Sequence, residues 1–95
     1  MRAESKGGVA VNRVSDWTQR KQEIGTAFRR ESFLTQPADA SVYDAALERM
    51  GIVTNRDVSI LLAIVQDAIM MARREALPTT MLDRFGDWLM MRLVE

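Results

Sequence analysis

The stretch NRDVSILLAIVQDAIMMARREAL, residues 55–77, contains the most apolar run of the chain and predicts a long helix. Thr54 and Asp57 form a helix-start signature, so we expect the helix to begin one or two residues after Thr54. Its apolar residues make two neighbouring stripes: Val58, Leu62, Val65, Ile69, Ala72 and Ala76 form one, and Ile60, Leu61, Ile64, Ala68 and Met71 the other. A helix that is apolar around most of its circumference must be buried around most of it.

A helix before this stretch, at about residues 16–34, is predicted by apolar residues at helical spacing. Ser15 is its expected N-cap, and Pro37 ends it. Gly25 lies inside it and costs about 1 kcal/mol relative to alanine, so we expect a kink or a close helix contact there. Residues 1–13 are polar and show no sustained period, which predicts a flexible N-terminal tail.

Two more helices are predicted by similar start signals. An S-x-x-D pattern at Ser41 indicates a helix that begins at the next residue, and Gly51 should provide its left-handed C-terminal cap. A T-x-x-D pattern at Thr80 indicates a last helix over residues 81–94, after Pro78 has ended the long one. No segment alternates with the period of a strand.

The composition is that of one small globular domain: 95 residues, of which 47% are apolar and 27% charged. The chain contains no Cys, so no disulfide can staple its thin core. We therefore predict an all-α fold, a compact bundle of about four helices with the apolar third helix at its centre, formed by residues 14–95 as a single domain. Because a second copy would bury apolar surface that a small core cannot, we expect a homodimer.

The formal net charge is zero, but residues 1–30 hold seven Arg or Lys against three acids, whereas residues 31–95 hold six against ten. Nucleic-acid-binding domains usually carry a basic excess, so a nucleic-acid partner is disfavoured. Polar residues interrupt the apolar run at 58–72, which is shorter than the about 20 residues that cross a bilayer. We expect no membrane partner and a cytoplasmic location.

Large apolar residues on the third and fourth helices are candidates for a partner or dimer interface. Methionine adapts to varied surfaces, and tryptophan is enriched where interfaces concentrate their binding energy. Adjacent methionines point about 100° apart, so both members of a pair rarely face one core. The candidate interface residues are Ile64, Met70, Met71, Trp88 and Met91. Core packing is the alternative for each, because apolar helical stripes usually face a core.

A small basic stripe on the first helix is a second candidate site, for phosphate or an acidic partner, and its residues are Arg20, Lys21, Arg29 and Arg30. A solvated helix face is the alternative. Residues 42–65 have the spacing of a helix-turn-helix unit. After its first turn, however, the second helix of that unit is almost wholly apolar and offers few side chains to read base edges.

Candidates for catalysis are limited to acidic pairs at helical spacing, such as Asp44 with Glu48. The chain has no His, no Cys and no Gly-rich phosphate loop, so we predict no catalytic residue, no cofactor and no metal site. We expect a non-enzymatic regulatory protein that binds a larger protein, such as an anti-activator that sequesters a transcription regulator. Two alternatives stay open: a DNA-associated accessory protein that uses residues 42–65, and a helical chaperone or assembly subunit of a secretion or phage system.

Overall fold

The computed structural model describes the backbone of residues 2–31 and 39–94, and the side chains of residues 16–31 and 39–93. Within these ranges the chain forms four α-helices and no strand. The helices are α1 (Arg2–Arg29), α2 (Ala40–Met50), α3 (Asn55–Arg74) and α4 (Thr80–Val94). The predicted all-α class is therefore confirmed for the described part of the chain.

The first helix begins earlier than predicted. Ser15 lies inside α1 (Arg2–Arg29), so it is not the N-cap of this helix. The helix also includes most of the segment 1–13, whose flexibility stays a prediction, as does the single domain over residues 14–95. At its other end α1 stops before the predicted position, and Pro37 lies outside the described residues.

Capping residues begin α2 and α3. For α3 the prediction is confirmed, since the Thr54 hydroxyl oxygen accepts a hydrogen bond from the Asp57 amide at 3.1 Å. For α2 the predicted cap is wrong: the Asp39 carboxylate, not Ser41, accepts from the Val42 amide at 3.2 Å. The Ser41 hydroxyl donates to the Asp39 carboxylate at 2.7 Å, and this bond is the main cause of a lowered Asp39 pKa. A carboxylate therefore replaces a hydroxyl at the positive end of α2.

The start of α4 differs from the prediction by one position. Thr80 is already helical, and the preceding residue, Thr79, provides the hydroxyl that donates to Asp83 at 2.8 Å. The Thr79 carbonyl also accepts from the Asp83 amide at 2.8 Å. Two adjacent threonines are equally suitable for this role by residue type, so the local sequence does not choose between them.

Both α2 and α3 end in a left-handed residue. Gly51 has a φ of 74°, and the Ile52 amide donates back to the last turn of α2 at 2.9 Å, as predicted. The other helix, α3, ends at Arg74, three residues before the predicted Leu77. There Ala76 takes the left-handed position with a φ of 57°, and the next amide donates back to α3 at 2.8 Å.

The core is built from buried residues of all four helices, and its α3 residues lie between Val58 and Val65. The buried apolar residues are Ile24, Phe28, Tyr43, Ala46, Leu47, Met50, Ile52, Val58, Ile60, Leu61, Val65, Phe85 and Leu89. Four aromatic rings join α1, α2 and α4, namely Phe28, Tyr43, Phe85 and Trp88, whose contacting centroids lie between 5.0 and 6.0 Å apart. Beyond Val65, every described residue of α3 is half-buried or exposed.

An ion pair ties α1 to the turn between α2 and α3. The Arg20 guanidinium donates from Nε to Asp57 Oδ1 at 3.0 Å and from Nη2 to Asp57 Oδ2 at 3.1 Å. The same Nη2 donates to the Gly51 carbonyl at 2.8 Å. One side chain of α1 therefore contacts both the end of α2 and the beginning of α3, in a bidentate geometry that is stronger than a single contact.

The Asp57 carboxylate is nearly enclosed, with 12% of its side chain exposed. It also accepts from the Val53 amide at 3.3 Å. The hydrogen bonds from Arg20, followed by those from the backbone amides, outweigh burial and lower the pKa of Asp57 from 3.8 to about 2. The folded chain therefore favours the charged form of this group.

Replacement of Asp57 by asparagine should lower stability in a pH-dependent way. Because the folded pKa is depressed, the ionised carboxylate stabilises the fold above its unfolded pKa, and this contribution is lost as pH falls from about 4 to about 2. Solvent reaches Arg20, so we expect a difference in unfolding free energy of about 1–2 kcal/mol at neutral pH, which shrinks in acid. Urea denaturation of the wild type and Asp57→Asn over this pH range measures it.

The matched control is Asp67→Asn, which breaks an ion pair whose carboxylate side chain is 63% exposed. We expect it to change stability by less than about 0.5 kcal/mol at every pH. A wild-type advantage over Asp57→Asn that stayed constant down to the acid end of the range would contradict the depressed pKa.

Ala76 offers a test of the left-handed end of α3. Ala76→Gly should raise the unfolding free energy by roughly 0.5–1 kcal/mol, because it removes the Cβ that crowds the backbone at positive φ. Gly51→Ala should lower it by a similar amount, since its Cβ would meet nothing within 4 Å and only backbone strain would change. Chemical denaturation of both variants measures the two changes in unfolding free energy. Changes of the same sign would contradict the left-handed conformation of Ala76.

Candidate protein-binding groove

A groove of about 870 Å³ lies between α1 and α3, and we call it the α1–α3 groove. Its residues on α1 are Trp17, Thr18, Lys21, Gln22, Gly25, Thr26, Phe28 and Arg29. Its residues on α3 are Ile64, Asp67, Ala68 and Met71. The volume falls within the range of roughly 300–1,000 Å³ that is common for binding pockets.

Helical periodicity explains why these residues share a surface. The α1 wall follows a four-residue spacing through Trp17, Lys21, Gly25 and Arg29. The α3 wall follows a four- and three-residue spacing through Ile64, Ala68 and Met71. Extended towards the start of α3, the same face carries Leu61 and Asp57, which are both buried. The groove is therefore the part of this α3 face that the described residues leave uncovered.

Large apolar side chains of the groove are accessible from both walls. On α1, Trp17 is 41% exposed, and on α3, Met71 is 58% exposed. Ile64 is half-buried. Arg56 lies over one face of the Trp17 ring, with its guanidinium carbon 5.7 Å from the ring centroid. The groove thus presents an aromatic ring on its α1 wall and a flexible thioether on its α3 wall.

The charges of the groove are unevenly shared between its walls. Lys21 and Arg29 lie on the α1 wall, and Asp67 lies on the α3 wall. Lys21 Nζ is 3.4 Å from Asp67 Oδ2, so this ion pair connects the two walls. Both partners are well exposed, and such pairs contribute little to stability. An incoming group can therefore displace this bridge at small cost.

Gly25 is not explained by packing within the chain. α1 continues through it without interruption, although glycine inside a helix costs about 1 kcal/mol relative to alanine. A Cβ at this position would lie 3.6 Å from Arg29 Nη1 and 3.8 Å from Ile64 Cδ1, which are ordinary contact distances. A methyl group would therefore fit between Arg29 and Ile64, so the contact of α1 with α3 at Gly25 does not by itself require glycine.

The candidate interface residues fall into separate places. Ile64 and Met71 line the α1–α3 groove. Met70 is 57% exposed on α3, and Met91 is 67% exposed on α4, and neither lines the groove. Their accessibility suits an interface, and their use in one stays a prediction.

Trp88 belongs to the aromatic cluster and is half-buried. Its ring centroid lies 5.2 Å from that of Tyr43 and 6.0 Å from that of Phe85. Arg92 covers it at 5.4 Å, and the same arginine contacts Asp44 of α2 at 3.2 Å. The ring therefore contributes to packing between α2 and α4, whatever part its accessible edge takes in binding.

Eight of the twelve groove residues were not among the predicted site residues, and Trp17, Gly25 and Ala68 are three of these eight. The four-residue spacing of Trp17, Lys21, Gly25 and Arg29 was a usable signal, since it places an aromatic, a glycine and two cations on one face. No sequence signal could show that the opposing face of α3 would be left uncovered.

The residues of the predicted basic stripe lie in different places in the structure. Arg20 binds Asp57, the Gly51 carbonyl and, at 3.3 Å, Glu23. Its hydrogen bond with Asp57, and to a smaller extent that with Glu23, raises the pKa of Arg20 above its usual value. Lys21 and Arg29 line the groove instead. Arg30 is exposed next to the end of α1. These cations do not form one uniform surface.

In the helix-turn-helix-like unit at 42–65, two side chains from the first turn of α3 contact α1. Arg56 stacks on Trp17, and Asp57 binds Arg20. Asn55 and Ser59 are the exposed polar residues at this end of α3 that remain clear of these contacts. A DNA groove would therefore have to compete with α1 for the side chains that should read it.

Among the described side chains, no three acidic residues lie close enough together to hold a metal ion. None of the helices in the described ranges combines the length and apolarity needed to span a bilayer. Several acidic residues have basic partners: Glu31 pairs with Arg49, Asp44 with Arg92, Asp67 with Lys21, and Asp57 with Arg20.

Comparison with known proteins identifies no relative from which a function could be transferred. No family model matches the chain, and neither a curated protein nor a solved structure is significantly similar to it.

Proposed function

We propose that this chain is a small regulatory protein that acts by binding another protein through the α1–α3 groove. The observation that carries the proposal is the accessibility of Trp17 and Met71, large apolar side chains on opposite walls of one groove. Exposed apolar residues gathered in a concave surface are typical of binding sites. The partner would be a larger protein, such as a transcription regulator, which this chain sequesters or blocks.

The chemistry of the two walls supports protein binding. Trp17 offers a large aromatic side chain, and aromatic anchors provide much of the energy of protein interfaces. Methionine on the other wall can adjust its rotamers to the shape of a partner. The combination suits recognition of another side-chain surface.

A binding role, as opposed to catalysis, is also supported by the ion pairing of the carboxylates. Five of the eleven acids whose side chains are described pair with arginine or lysine, as Asp57 does with Arg20. A paired carboxylate of low pKa is a poor proton acceptor at neutral pH. With no His or Cys in the sequence, we assign no catalytic role.

The homodimer is a further part of the proposal, and Met91 is the residue we assign to it. This side chain is 67% exposed near the end of α4 and does not line the groove. Pairing of two copies through α4 would bury apolar surface that the monomer exposes, and it would leave the α1–α3 groove open for a partner.

The two other candidate functions have less support. A DNA-associated role would need the first turn of α3, whose Arg56 and Asp57 contact α1. A chaperone or assembly subunit would use the same groove as the regulatory protein. The two protein-binding functions therefore differ in their partner, and identification of that partner separates them.

Substitution of Met71 by glutamate should weaken binding strongly and leave the fold intact. Because the side chain is 58% exposed, the charge stays in water in the free chain but would be buried without a partner charge in the complex. A photo-crosslinking amino acid placed at Met71 should capture the partner in cells. The same amino acid placed at Ser59, an exposed position of α3, is the negative control. With that partner purified, we expect Met71→Glu to weaken binding at least about tenfold in calorimetry.

The matched control is Met90→Glu, which introduces the same charge at a side chain that is 51% exposed on α4 and outside the groove. It should bind the partner with wild-type affinity. Equal cross-linking at positions 59 and 71, or undiminished binding by folded Met71→Glu, would reject the groove as the binding site. Light scattering of Met91→Glu tests the dimer separately, because a folded monomer is expected from this variant.

A further inference from the structure

Gly25 occupies a position at which the chain itself needs no glycine. It does not have a positive φ, and a Cβ would be accommodated next to Arg29 and Ile64. A Cβ at Gly86 of α4 would also be accommodated, but its neighbour at 3.5 Å is Val65, a fully buried residue of the core. The space left by Gly25 faces the α1–α3 groove instead. Glycine at such a place permits close approach by something from outside the chain.

Arg29 supplies the charge that an occupant would meet there. Its Nη1 lies 3.6 Å from the Cβ position of Gly25, so the guanidinium folds back over the glycine. Among the described residues that line the groove, the single carboxylate is Asp67, and it already pairs with Lys21. The groove therefore carries a net positive charge centred on Arg29, which favours an acidic occupant.

The shape of the groove favours a helix. From Trp17 to Arg29 the α1 wall rises about 18 Å, the length of roughly three helical turns. Both walls present side chains at three- and four-residue intervals, the spacing into which the ridges of another helix fit. An apolar helix face in a groove of this kind is a common mode of peptide recognition.

We propose that the α1–α3 groove binds an amphipathic helix of a partner protein, with a small or branched apolar side chain seated against Gly25 and a flanking carboxylate paired with Arg29. The inference rests on the function proposed above and specifies the partner's binding element. In the unoccupied groove, Arg29 covers Gly25, and the exposed guanidinium moves aside to meet the incoming carboxylate.

The test uses two synthetic helical peptides of about 14 residues with leucines at i, i+4 and i+7, flanked by glutamates in one and by lysines in the other. Each is titrated into the isotope-labelled full chain, and binding is followed by nuclear magnetic resonance, which detects weak complexes. We expect the glutamate peptide to shift the amide signals of Gly25, Ala68 and Met71, and to bind at least about fivefold more tightly than the lysine peptide.

Two variants isolate the proposed contacts. Gly25→Ala should raise the melting temperature by roughly 2–6 °C, because the free chain has room for the methyl group, yet it should bind the glutamate peptide at least about fivefold more weakly. Arg29→Gln should remove the preference for the glutamate peptide. Ser59→Ala is the control, since it improves helix propensity at an exposed α3 position outside the groove and should leave peptide binding unchanged.

Four outcomes would overturn the inference. Neither peptide shifts the amide signals of the groove residues, Gly25→Ala binds the glutamate peptide as tightly as the wild type does, or the wild type binds both peptides with equal affinity. The fourth outcome is that Gly25→Ala has a different oligomeric state from the wild type. The last would show that a second copy occupies the groove. If the cross-linking at Met71 still captures a protein, the failure lies with the helix and not with the proposed function. If it captures none, both fail.

Discussion

The bidentate ion pair between Arg20 and Asp57 is the interaction on which the arrangement of the helices depends. A nearly enclosed carboxylate is tolerated only when it is paired and hydrogen-bonded, and Asp57 receives bonds from a guanidinium and from the backbone before α3. Because the same guanidinium binds the Gly51 carbonyl, the end of α2, the start of α3 and one position of α1 are fixed at a single point.

The position of this anchor determines what α1 can cover. From Arg20 onwards, α1 places Ile24 and Phe28 in the core, where Phe28 stacks on Phe85 of α4. Its other face therefore passes beside α3 without closing over the residues beyond Val65. The α1–α3 groove is a consequence of that geometry: the apolar face of α3 continues, but the helix that buries its first half is directed into the aromatic cluster. A fold can in this way retain a binding surface without unfolding any part of itself.

Local signals predicted the helices well where one residue type has one geometric role. Gly51 adopts a positive φ because glycine has no Cβ to crowd that backbone, and Thr54 caps α3 because a hydroxyl reaches the amide three residues on. Elsewhere neighbouring residues compete for one role. Asp39 displaces Ser41 as the cap of α2, and Ala76 takes a left-handed position that no glycine signals. Propensity alone does not settle such competitions.

The sequence by itself determined the helical class, the end of α2 and the start of α3, because those depend on the period of apolar residues and on groups a few positions apart. It also named Met71 and Ile64 as candidate interface residues, since a helix that is apolar on several faces leaves some of its apolar side chains exposed. The tertiary structure decided which face that is. Trp88 packs against Tyr43 while Trp17 lines the groove, and this difference arises from contacts between helices distant in sequence, which no local pattern encodes.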